Sequence, residues 1–162
     1  MDALEQLGLL AEIGATYSGF IAVFLAFSRD DGRFQAADGH FVQAMVLACL
    51  AVILFSLAPR AFSLITPEDL LWRAAAWLAV IVFGGGLLYQ VWWQVTLPDE
   101  EAAKLHFGWH VPGWTFGALA LVAFVAALLF PGFAAGLYVV GTSLVLGLGV
   151  WCFMAIVFRK FI

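Results

Sequence analysis

Five stretches of this sequence run almost without charge and are long enough to cross a bilayer, and they limit what the chain can fold into. They cover about 7–28, 41–65, 70–97, 113–130 and 133–158. A spanning helix needs ~20 mainly apolar residues to match a ~30 Å hydrocarbon core. The runs are continuous rather than alternating, which favours helices over strands. Hydrophobic residues make up 65% of the chain and charged ones 11%, against ~45–50% and ~25% in soluble domains. So little polar surface cannot cover so much apolar content in water. The sequence reads as all-α: a polytopic integral membrane helix bundle with five transmembrane helices, forming a single transmembrane domain over 1–162.

The last two runs are separated only by Pro131-Gly132. One helix from 113 to 158 would be roughly 69 Å long at ~1.5 Å per residue, so a tight turn is expected there. Thr66-Pro67-Glu68-Asp69 reads as a helix start, with Pro67 at the first position. The stretch 98–112 is expected to be a loop with a short surface helix. Asp30-Asp31-Gly32 lacks the further ligands of a calcium loop and reads as a solvated turn. The acidic start, Met1 to Gln6, does not resemble a secretory leader, so the first helix is expected to remain. No myristoylation or prenylation pattern is present.

Orientation follows from the cations in short loops. One face carries Arg60 and Arg73; the other carries Arg29, Arg33, Lys104, Arg159 and Lys160. The expected orientation is therefore N-out/C-in, with tryptophans near both ends as interfacial belts. With only seven Lys plus Arg and no basic patch, nucleic acid is excluded as a partner.

Glu12 is the most awkward residue, because a carboxylate inside a span needs a partner, water or a proton. Arg60 falls at a matching depth on the second helix. Either a Glu12–Arg60 pair forms, supported by Tyr17, Ser56 or Ser63, or both side chains snorkel separately to the headgroups. Pro59, beside Arg60, removes a backbone donor and marks a kink or a helix end. On the third helix Gly86, Gln90 and Gln94 share one face at i, i+4, i+8, and Gln43 falls at the depth of Gln94. Such amides either bond neighbouring helices, the commoner use, or line a solute path.

Small residues at helical spacing let membrane helices approach closely. Gly14, Ser18 and Ala22 on the first helix, and Gly132 and Gly136 on the fifth, make these two helices the candidates for tightest packing, within one chain or between copies. Cys49 and Cys152 read as buried small hydrophobes. His40, His106 and His110 are weak candidates for a metal, since Gly108 interrupts the helix that would align the last two; no metal or cofactor is expected. No nucleophile elbow, Ser–Lys pair or paired intramembrane aspartate occurs, so the chain is expected not to be an enzyme. The expectation is a small homo-oligomeric channel or transporter for ions or small solutes in a bacterial inner membrane. The alternative is a non-catalytic subunit or scaffold with partner membrane subunits.

Overall fold

The computed structural model describes residues 2–29, 36–96 and 107–161. Among them are five long helices and no strand: α1 Ala3–Arg29, α2 Ala36–Phe62, α3 Glu68–Thr96, α4 Phe107–Leu129 and α5 Ala134–Phe161. Each is long and apolar enough to cross a membrane, and the chain is a multi-pass membrane protein.

The helix ends follow local chemistry. α1 opens on a capping box: the Glu5 amide donates to Asp2 Oδ1 at 2.8 Å, and the Asp2 amide donates to Glu5 Oε2 at 2.9 Å. Two orphan amides are thereby satisfied, and the helix starts four residues before the apolar run predicts. α2 closes with the Ser63 amide on the Pro59 carbonyl and the Thr66 amide on the Phe62 carbonyl. The Pro67 carbonyl then accepts from the Leu70 and Leu71 amides as α3 begins. Between α4 and α5 the predicted turn is a single 3-10 turn, Pro131–Phe133, which reverses the chain. At the start of α4 the expectation fails. Residues 107–112 are not loop but helix, and Pro112 sits inside it. Pro112 is the sixth residue of α4, past the four amides that lack an intrahelical acceptor, so it offers no donor to the carbonyl of residue 108 one turn back. The segment 97–106, including most of the anticipated surface helix, lies outside the described residues, as does the Asp30-Asp31-Gly32 turn.

Contacts between helices show an up-and-down bundle. Along α2 and α5, Cys49 lies near Gly149, while the Phe55 carbonyl meets the Tyr138 hydroxyl, so these two run antiparallel. Gly113 next to Trp151 and Gly141 next to Phe124 give the same sense to α4 and α5. α1 packs mainly on α2 through Leu7, Gly14 and Ile21. Of the two candidates for tightest packing, α5 packs most extensively, on α4 and α2, whereas α1 packs mainly on α2 and only lightly on α5. A Cβ on Gly132 or Gly136 would meet nothing within 4 Å. Within one chain the close approaches fall at Gly141 against the Phe124 ring and Gly147 against Phe116. The reason is register: Gly132 lies in the 3-10 turn and Gly136 in the first turn of α5, where a side chain at either position has no neighbour to meet. Of the α1 stripe, Gly14 is buried against Val52 and Ile53, Ser18 is half-buried with its hydroxyl on the Gly14 carbonyl at 2.8 Å, and Ala22 is exposed.

One core cluster is aromatic. Phe55 and Phe124 meet edge to face at 5.4 Å, and Phe124 and Tyr138 meet in a tilted arrangement at 5.5 Å. Such pairs add about 0.5–1.5 kcal/mol beyond area burial. The second gathers Ile21, Phe41, Met45, Cys49, Cys152 and Ile156. Both cysteines are free thiols buried there, as small hydrophobes would be.

Candidate functional site: a cavity walled by four helices

The stripe on α3 turns inward. Gly86, Gln90 and Gln94 all line one cavity of about 200 Å³ bounded by α2, α3, α4 and α5. Its placement follows from sequence. Gly84-Gly85-Gly86 leaves that part of α3 without side chains, and a Cβ on Gly85 or Gly86 would meet nothing within 4 Å. One turn further on, the two amides succeed the glycines on the same face. Neither glutamine hydrogen-bonds a neighbouring helix among the described residues, so they do not serve as interhelical bonds. The Gln90 Oε1 is buried and has no partner among the described residues. An amide oxygen held away from water costs ~1–3 kcal/mol unless something donates to it.

The remaining wall is aromatic and apolar. Phe41 of α2 and His110 of α4 stack at 5.0 Å with 26° between planes. Trp114 of α4 and Trp151 of α5 add indole rings, and Phe83 closes the inner end. Among the described residues no Asp, Glu, Lys or Arg lines the space. The exposed lining residues are Leu47 of α2 and Val82 and Gly86 of α3. The cavity therefore opens sideways between α2 and α3, through apolar residues of two spanning helices, toward the surface that lipid covers.

Three of these wall residues were not singled out by sequence as one site. His110 was grouped with His40 and His106, but the His40 side chain and the whole of His106 lie outside the described residues. Among the described residues no group of His, Cys, Asp and Glu could hold a metal. Trp114 and Trp151 read as interfacial anchors; counting outward from the Pro131-Gly132 turn places them opposite each other and would have joined them. Gln43, expected at the depth of Gln94, is exposed and outside the cavity lining.

The Glu12–Arg60 pair does not form. Arg60 Nη2 donates to the Leu4 carbonyl at 3.3 Å and lies against Gly8. Glu12 is exposed and makes no hydrogen bond or ion pair among the described residues. Depth was matched but azimuth was not: at ~100° per residue, Glu12 stands about 140° around α1 from the buried Leu7. Of the proposed supports, Ser63 Oγ donates to the Arg60 carbonyl at 2.7 Å, whereas Ser56 Oγ and Tyr17 Oη are buried without a hydrogen-bond partner among the described residues.

Compared with known protein families, with curated proteins and with solved structures, the chain matches none.

Proposed function

We propose that this protein is a small membrane transporter for uncharged solutes, working as a homo-oligomer with one solute cavity in each copy. The observation that supports this reading is the side-opening cavity of about 200 Å³, lined by Gln90 and Gln94 and, among the described residues, by no charged side chain. Intramembrane polar groups that bond no neighbouring helix are costly and mark solute routes. An ion would need a ring of charge or of carbonyls in exchange for its hydration shell, and the lining offers neither. The open faces at Gly132/Gly136 and at Ala22 are where a second copy would pack. The cation distribution favours N-out/C-in in a bacterial inner membrane.

The test is stopped-flow light scattering of proteoliposomes in gradients of glycerol and of 1,3,5-trihydroxybenzene, paired with current recording. Protein-dependent solute permeability that returns to the lipid baseline in Gly86→Leu is the expected result. That substitution places a side chain where Gly86 now has open space, so it plugs the mouth without a clash. Ion current without solute flux, or no protein-dependent flux at all, refutes the reading.

A further inference from the structure

From the shape and lining of the cavity we infer that its ligand is a lipid-soluble ring bearing a hydroxyl, of the phenol or hydroquinone class; this rests on the solute-cavity reading above. Three independent features point there. The first is size. A cavity of 150 Å³ holds a benzene ring, and this one, at about 200 Å³, takes a substituted single ring or a small fused pair.

The second feature is the wall. Phe41, His110, Trp114 and Trp151 present ring faces or edges around the space, and aromatic groups pack on one another through offset or edge-to-face contacts. An acyl chain would be served as well by leucines. The third feature is the buried Gln90 Oε1, which accepts no hydrogen bond from the described residues. A ligand hydroxyl supplies the missing donor, and the neighbouring Gln94 amide offers a donor to the ring's own oxygen. A carbonyl-only ring, such as a quinone, leaves the Gln90 oxygen unsatisfied. An anion or cation finds no counter-charge among the described lining residues and is costly to desolvate there.

The mouth supports the same ligand. Leu47, Val82 and Gly86 are exposed on the lipid-facing side of α2 and α3, so a solute dissolved in the bilayer reaches Gln90 without crossing water. A para-alkyl tail would lie in the gap left by the glycines and extend into lipid.

The experiment uses the full chain in nanodiscs and reads saturable quenching of tryptophan fluorescence. The probes are 4-hexylphenol and its methyl ether, 4-hexylanisole, which has nearly the same shape but no donor. The phenol is expected to bind about 2- to 12-fold more tightly than the ether, the worth of one hydrogen bond. Gln90→Leu should abolish that preference, and Gly86→Leu should remove saturable binding of both probes. Equal binding of phenol and ether, both lost in Gly86→Leu, overturns the hydroxyl-bearing ligand while leaving the solute cavity standing. Absence of saturable binding, or binding unchanged in Gly86→Leu, overturns both.

Discussion

Removing one hydroxyl from the core, with Tyr138→Phe, tests how α2 tolerates a proline. Pro59 has no amide hydrogen, so the carbonyl of Phe55 loses its i+4 donor inside a spanning helix. Water is absent there, and an unsatisfied backbone group is costly. Tyr138 of α5 supplies the missing donor: its hydroxyl reaches the Phe55 carbonyl at 2.8 Å, and both residues are fully buried. Losing a buried hydrogen bond and leaving the acceptor bare costs ~1–3 kcal/mol in soluble proteins, while bonds between membrane helices average ~0.6 kcal/mol with a maximum of ~1.7. The carbonyl here has no alternative amide at position 59, which places Tyr138→Phe at the upper end, about 1.5 kcal/mol, or roughly a tenfold change in the folding equilibrium. The assay is reversible unfolding in mixed micelles, run as a double-mutant cycle with Pro59→Ala. Alanine restores an amide at position 59, so Tyr138→Phe should then cost less, by at least ~0.5 kcal/mol. The cycle cancels whatever cost comes from removing the buried proline ring itself. Equal costs in the two backgrounds would falsify the claim that Tyr138 compensates for Pro59.

Other outcomes follow from the same contacts. Gly141→Ala puts a Cβ 2.6 Å from Phe124 Cε1, in a fully buried ring, and should destabilise by ~1–3 kcal/mol, whereas Gly136→Ala, facing open space, should stay within ~0.5 kcal/mol; thermal unfolding in detergent separates them. Ser56→Ala removes a buried hydroxyl that has no partner, so it should be neutral or stabilising in the same measurement. A Glu12→Gln/Arg60→Met cycle should show coupling below ~0.5 kcal/mol, because the two side chains do not pair; coupling above ~1 kcal/mol would mean that they meet in the membrane.

The five spans were legible because the bilayer imposes a length and a composition on each, and no packing detail alters either. The Pro131-Gly132 reversal was legible for the same reason: a single helix from 113 to 158 has no bilayer to fit. The inward face of Gly86, Gln90 and Gln94 was also readable, since two amides on one stripe avoid lipid whatever they meet. What they meet was not. Whether glutamines bond a neighbour or border a space depends on how far apart four helices stand, and that distance is set by side chains remote in sequence, such as Phe41 against His110. Glu12 and Arg60 show the same limit. Counting residues gives depth along a helix, but azimuth depends on which side α1 presents to α2, and Leu7, Gly14 and Ile21 decide that. Pro59 marks its missing donor in the sequence itself; only the antiparallel register of α2 and α5 brings Tyr138 to the carbonyl it leaves open. Sequence thus determined the number, length and apolar character of the helices, which are properties of single segments in lipid. Tertiary structure decided pairing, azimuth and the cavity, because these arise only where segments distant in the chain are fitted against one another.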